Sequence, residues 1–420
     1  MTPERYLASR GVTGPWQVAG DTAGGAAGAV IIPALAESAE LFATLRSLAA
    51  NPPELMPRFL VLVVVNQRED VPAADRADNL RTLELLAAAA PALAPLRLAW
   101  VDATTAGREL PAKGGGVGLA RKIGHDLALP LLDWRADPLL ISLDADTLVE
   151  PSYLPALVAH FAAPHPGGAV LPFCHRPGAT PAEAAAIERY ELFLRLYVYG
   201  LALAGSPYAF HTVGSAMACR GSAYLRMGGM NSRRAGEDFY FLQQLYKTAG
   251  LAPLAGTLLH PSPRRSHRVP FGTGRSVSRL LDGDGEAVLF YDPACFRVLG
   301  AWLRLAAERW EGAGEELLAG AGALAPALAD YLAALELPLV WDRLRRHHPG
   351  RERFLTAFHG WFDGLRTMKL IHHLSADLHP RRPPTVELLA GYCRWGGLGA
   401  APEPVALLDE LRTRQNGLAA

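Results

Sequence analysis

Asp144 and Asp146 stand one residue apart where an apolar run, Leu139 to Leu143, breaks off in LLISLDADTLVEP. Two carboxylates that close repel each other unless a cation or a donor group lies between them. A divalent metal that also holds a diphosphate answers that need, and so does a structural role in capping the turn that follows. A second acidic pair, Glu237-Asp238, opens a segment in which Phe239, Leu242 and Tyr246 recur at helical spacing. Acids at a helix start complement its dipole. The same field favours the carboxylate form, so Asp238 is expected to be ionised and able to take a proton near neutrality. A third cluster is basic: Arg264, Arg265, His267, Arg268 and Arg275, threaded with Pro and Gly in HPSPRRSHRVPFGTGRS.

The elements that must position these groups alternate along the first half of the chain. Ala29–Pro33 reads as a strand, followed by a helix through Leu41, Leu45 and Leu48 that ends at Asn51-Pro52-Pro53. Phe59–Val65 is nearly all apolar, as a strand covered on both faces must be. A helix near Asn79–Ala90, a strand at Leu96–Val101, a helix around Val117–Leu129 and the acidic strand Leu139–Leu143 complete the series. Such alternation implies right-handed crossovers and a parallel sheet, and ligands of open α/β sheets bind beyond the strand ends. Further on come an apolar stretch Ala169–Phe173, a long helix near Ala182–Leu203, a β-prone segment Thr212–Cys219 and a helix beginning near Gly236. Beyond about Tyr291 the texture turns to Leu, Ala, Arg, Glu and Trp at helical spacing. The expected division is an N-terminal extension over 1–28, an α/β domain over 29–290 and a helical C-terminal domain over 291–420.

With 420 residues, half of them hydrophobic, the chain can bury a large core. Its 41 basic residues balance 41 acidic ones, so it has no general attraction for polyanions, and nucleic acid is not an expected partner. Four scattered cysteines, Cys174, Cys219, Cys295 and Cys393, form no C-x-x-C pair, which points away from zinc and from a disulfide framework. The N-terminus MTPERYLASR lacks the apolar core of a secretory signal, and the uncharged stretches Pro151–His175 and Leu196–Cys219 are broken by Pro, Gly, Ser or His. A cytoplasmic protein without a transmembrane span is expected, with peripheral contact to the inner face of the membrane left open.

The turn after the first strand, Pro33 to Glu37, has none of the glycines that bring a helix N-terminus to a pyrophosphate, and Lys113 precedes Gly114-Gly115-Gly116 rather than following them. Dinucleotide-binding and P-loop readings therefore fall away. Instead, five segments, in order, resemble the family-2 glycosyltransferases: VIIPALAE, VLVVVNQRED, GVGLARKIGHDLAL, SLDADTL with its D-x-D motif, and GGMNSRRAGEDFYFLQQL with its G-E-D helix. They span about Val30 to Leu245. The resemblance implies the GT-A fold, a Rossmann-like, mostly parallel sheet flanked by helices, and a single sugar transfer from a nucleotide-sugar donor. The Q-x-x-R-W motif and membrane spans of the family's processive synthases do not occur where expected.

By position in those motifs, Pro33, Glu37 and Asn66 belong to the nucleoside side, with Asn66 standing where many members have Asp. Arg121 would bridge the nucleotide and the first motif carboxylate. Asp144 would hold ribose and metal, and Asp146 would ligate the metal, Mn²⁺ or Mg²⁺, directly. Asp238 would deprotonate the acceptor hydroxyl, with Glu237 orienting the acceptor. The basic loop falls where related enzymes have a diphosphate loop, so Arg264 and Arg265 would meet phosphate, with His267 as a third metal ligand and His260 in reserve. Tyr208, Phe210 and His211 either stack on an acceptor or belong to the core. Trp341–Phe354 either meets an anionic acceptor or is a solvated helix end. The acceptor, whether small molecule, lipid or glycan, is not specified by the sequence. A retaining GT-A transferase and a non-catalytic nucleotide-sugar-binding protein stand as alternatives.

Overall fold

The alternating runs fold into an α/β sheet, as expected. The computed structural model describes residues 1–164, 166–266, 272–376, 378–399 and 401–417. In chain order its strands are β1 (Val18–Gly20), β2 (Gly28–Ala34), β3 (Phe59–Asn66), β4 (Arg97–Ala103), β5 (Leu139–Ser142), β6 (Leu148–Val149), β7 (Gly168–Val170), β8 (Met217–Arg220), β9 (Leu251–Pro253) and β10 (Leu259–His260). Eight of them form one sheet in the order β1-β4-β3-β2-β5-β8-β7-β9, and β10 pairs with β6 separately.

The contiguous strands β4, β3, β2 and β5 are parallel. Toward one edge β8 runs antiparallel to both β5 and β7, and at the other β1 runs antiparallel to β4. Every residue of β2, β3 and β5 is buried, which is why their sequences read as continuous apolar runs rather than as alternation. Strands β7 and β8 are shorter than the apolar stretches that announced them.

The helix Val117–Ala128 is the element that matters most for the site. It lies so close to the sheet that a methyl group on Gly124 would stand 2.3 Å from a side-chain carbon of Ile31 and 3.0 Å from one of Val64. Its far end is fixed by Asp126, a fully buried carboxylate that pairs with Lys122 Nζ at 2.8 Å. Asp126 also accepts hydrogen bonds from the hydroxyls of Tyr6 (3.0 Å) and Tyr224 (2.8 Å) and from the Val12 N–H (3.0 Å). A charge buried at that depth is tolerable only when paired and bonded in this way. The segment 1–28, read from sequence as an extension, thus contributes the buried Tyr6, the helix Pro3–Arg10 and the edge strand β1.

Two compact units emerge, and they interleave along the chain. One comprises Met1–Ala179, Thr212–Arg275 and the last residues from Arg414; the other comprises Thr180–His211 and Ser276–Thr413. The long helix Pro181–Leu203 therefore belongs with the helical unit rather than with the sheet. It starts at a capping box in which Thr180 Oγ1 accepts from the Glu183 N–H (3.2 Å) and the Thr180 N–H donates to the Glu183 carboxylate (3.1 Å). Among the described residues, seven further helices from Pro293–Glu308 to Val386–Gly396 belong to this unit, as does most of the helix Pro404–Gln415. Its core holds Trp302, Trp341, Phe354 and Phe358, with the rings of Trp341 and Phe354 4.7 Å apart edge to face. Glu191 and Arg195 are buried there as an ion pair at 2.8 Å, and Arg412 binds the same carboxylate through two nitrogens. No helix among the described residues is long and apolar enough to cross a membrane.

Candidate active site

Strand β5 ends at Ser142, but its backbone pairing carries on one residue, with the Leu143 N–H donating to the Ile31 carbonyl at 3.0 Å. The chain then turns, the Thr147 N–H donating to the Asp144 carbonyl at 3.2 Å. Two side chains hold the backbone of this turn. Thr44 donates its hydroxyl to the Ala145 carbonyl at 2.9 Å, and Arg176 donates to the Asp146 carbonyl at 3.2 Å. Asp144 and Asp146 are therefore presented from a fixed loop at the end of a central strand.

Arg121, 2 % exposed, joins this loop to the second acidic pair. Its Nε donates to Glu237 at 3.1 Å and its Nη2 to Asp144. Burial works against charge on the guanidinium, but Asp144, Glu237 and Asp238 outweigh it and hold the group more firmly protonated than usual. Among the described residues its Nη1 has no hydrogen-bond partner although it is buried. Space is tight here. A methyl on Gly214 would stand 2.5 Å from Arg121 Nη2 and 3.7 Å from Asp144 Oδ2.

Glu237 and Asp238 open the helix Glu237–Ala249, as the spacing predicts. The expectation that the helix start keeps Asp238 ionised is corrected. Burial and the neighbouring Glu237 charge push its carboxyl up to about 7, against the lowering effects of the Phe239 N–H bond at 2.7 Å and of Arg121. Desolvation and like charge outweigh the helix end. The Asp238 carboxylate is thus a stronger base than that of an ordinary aspartate. Nearby His125, bonded to the Ser142 hydroxyl at 3.1 Å, is driven down to about 3 by burial and by Arg121 and Lys122, so it stays neutral.

A second cluster forms on the same loop. Antiparallel pairing of β10 with β6, His260 opposite Leu148, directs the chain after His260 back past Asp146. Arg264 reaches Asp146 Oδ2 through its Nε at 3.0 Å, and its Nη2 donates to both carboxylate oxygens of Glu37, which is 7 % exposed. Arg264, expected on a diphosphate, is here bonded to two carboxylates instead. Arg265 beside it is exposed, and His267 lies outside the described residues. The reserve ligand His260 stands 3.5 Å from Glu150.

Of the other expected contacts, Pro33 is buried inside β2 opposite Val64. Asn66 is buried at the end of β3, its amide nitrogen donating to the carbonyls of Ala34 (3.1 Å) and Val64 (3.0 Å). Tyr208 is 5 % exposed in the helical unit, with its hydroxyl donating to the His359 carbonyl at 2.6 Å, a core role. Sequence reading missed Arg176 and Glu40, paired at 2.8 Å beside the aspartate loop. An arginine in FCHRP has no spacing that marks it, and only the folded backbone brings it to Asp146.

Among the described residues no group of three or more His, Cys, Asp or Glu is placed to hold a metal. Mg²⁺ and Mn²⁺ bound with a phosphate substrate need less, one or two carboxylates with phosphate oxygens and water completing the shell. Asp144 and Asp146, hard oxygen donors one residue apart on one loop, fit that smaller requirement.

No protein-family model matches the sequence, and no curated protein does. Solved structures show partial likeness. S. aureus TarS 1-349 in complex with UDP-GlcNAc is 15% identical with a TM-score of 0.36, covering 65% of this chain and 70% of that one. The mannosyltransferase PcManGT from Pyrobaculum calidifontis, in complex with GDP-Man and Mn2+, is 16% identical with a TM-score of 0.38, covering 99% and 92%.

Proposed function

We propose that this chain is a GT-A-type, family-2-like glycosyltransferase that moves one sugar from a nucleotide-sugar donor to a hydroxyl acceptor with inversion. The observation that carries the reading is the Arg121 bridge. It brings the strand-end carboxylate Asp144 and the acidic helix start at Glu237 to one buried guanidinium, from segments far apart in sequence. A sugar transfer needs both ends of that bridge: a place to hold the leaving diphosphate and a base for the attacking hydroxyl.

In this reading the acceptor O–H gives its proton to the Asp238 carboxylate as its oxygen bonds to the anomeric carbon. The sugar–phosphate bond breaks on the opposite side, and its electron pair leaves with the nucleoside diphosphate. Asp238, with its proton affinity raised to about 7, matches the operating pH of a general base. Glu237 is held by Arg121 and serves to orient the acceptor. Asp144 and Asp146 are the residues that would hold Mn²⁺ or Mg²⁺, and the cation would neutralise charge developing on the diphosphate. Arg121 holds Asp144 in place without itself reacting. Glu37 and Asn66 mark the nucleoside side.

The test is a screen of UDP- and GDP-sugars with Mn²⁺ for donor hydrolysis and transfer to simple glycoside and lipid-phosphate acceptors, with the product anomer read by NMR. Metal-stimulated turnover with an inverted product supports the reading. Binding without turnover in any pairing favours a sugar-nucleotide-binding protein, and a retained anomer overturns the role of Asp238.

A further inference from the structure

The carboxylates Glu37 and Asp146, on separate loops, share one guanidinium. Arg264 Nε lies 3.0 Å from Asp146 Oδ2 and its Nη2 serves both oxygens of Glu37. Arg176 continues the network, donating to Glu40 at 2.8 Å and to the Asp146 carbonyl at 3.2 Å. The acids of this corner are thus each paired from within the chain, Glu37 and Asp146 with Arg264 and Glu40 with Arg176. A divalent cation approaching Asp146 meets a positive group already bonded to the oxygen it needs.

We propose that Arg264 is a resident counter-cation that is exchanged during donor binding, so that metal and nucleoside diphosphate bind strongly only together. The proposal rests on the glycosyltransferase reading above. A metal alone must displace Arg264 from Asp146 and leave a guanidinium without that partner beside it. A diphosphate alone must either share Arg264 with the carboxylates or draw it away and leave Asp146 uncompensated beside a second anion. When both arrive, two diphosphate oxygens give the Arg264 guanidinium a bidentate anionic partner of equal quality. Asp146 is then released to the cation, whose shell the phosphate oxygens complete. Each ligand therefore removes the obstacle to the other, and the coupling is the same in both directions.

Titration of Mn²⁺, followed by the electron paramagnetic resonance of the free ion, with and without saturating UDP or GDP, tests this on the full chain. Wild type should bind Mn²⁺ at least ~10-fold more tightly in the presence of its nucleoside diphosphate, within the range usual for linked sites. Arg264→Gln should bind Mn²⁺ alone more tightly than wild type by a similar factor and lose most of the coupling. Arg264→Lys, which keeps the charge, should still bind Mn²⁺ weakly alone, and this separates the charge effect from any loss of fold. Unchanged Mn²⁺ affinity in Arg264→Gln, or undiminished coupling, overturns the exchange while leaving the transferase reading standing. If wild type binds neither Mn²⁺ nor either nucleotide under any combination, both fall.

Discussion

The Nε of Arg121 donates to the carboxylate of Glu237 at 3.1 Å across 116 positions of sequence, with both side chains almost wholly removed from solvent. An ion pair buried that deeply is held by geometry more than by net energy, because desolvation offsets much of the attraction. Removing one partner is another matter, since the other is left as an unpaired buried charge. The pair therefore acts as a fixed joint between the strand-end loop and the helix carrying Asp238.

Arg121→Met should destabilise the protein by about 3–5 kcal/mol, the usual cost of stranding a buried charge. Adding Glu237→Gln to that variant should recover part of the loss. Urea unfolding of the two variants and wild type measures this. A double variant no more stable than the single one would show that Glu237 is not the charge being stranded.

Gly214→Ala probes the same joint by crowding rather than deletion. Its methyl group would stand 2.5 Å from Arg121 Nη2, so the guanidinium must move off Asp144 or the loop must shift. Overpacking of this kind costs about 1–3 kcal/mol. Turnover should fall by more than that loss of stability explains. Wild-type melting temperature and wild-type rate together would remove the claim of tight packing here.

Asp238→Asn should lower the rate at least ~10²-fold with donor affinity nearly unchanged. The pH dependence has a definite sign. A carboxyl raised to about 7 is protonated, and inactive as a base, at lower pH, so wild-type kcat/KM should rise through neutrality and level off above it. A profile already flat between pH 5 and 8 would argue that another group takes the proton.

Asp146→Ala should abolish most turnover yet leave the fold intact, since the side chain is partly exposed and its backbone is held by Thr44 and Arg176 through carbonyls the substitution does not touch. Circular dichroism and activity with Mn²⁺ check both halves. Full activity of this variant in chelator would end the metal reading.

How far the sequence foretold this arrangement depends on distance along the chain. Strands β2, β3 and β5 are legible because a strand buried on both faces must be apolar throughout. The motif carboxylates are legible because they follow such strands or open an amphipathic helix. Strand β1 is not, since three partly exposed residues at a sheet edge carry no period. Nor is the partner of Arg264: Asp146 lies 118 positions away and Glu37 lies 227 away. The raised proton affinity of Asp238 is hidden from the sequence for a related reason. The helix start is visible in one segment, but the desolvation and crowding that overrule it arise only when distant segments meet.

The interleaved units have a consequence for the nascent chain. As synthesis proceeds from the N-terminus, the helix Pro181–Leu203 emerges before any of the residues from Phe290 onward that bury its apolar side, such as Phe296, which leaves no room for a side chain on Gly200. Strand β8, the antiparallel neighbour of β5, follows that helix in the chain. The sheet therefore cannot close on β5 until the helix has left the ribosome, and the helix then waits for the C-terminal third of the polypeptide. Contacts this far apart in sequence slow folding and prolong the exposure of apolar surface. Cutting the gene at residue 290 would release a protein with a complete set of sheet strands and an unprotected greasy helix, prone to aggregate for reasons unrelated to its chemistry.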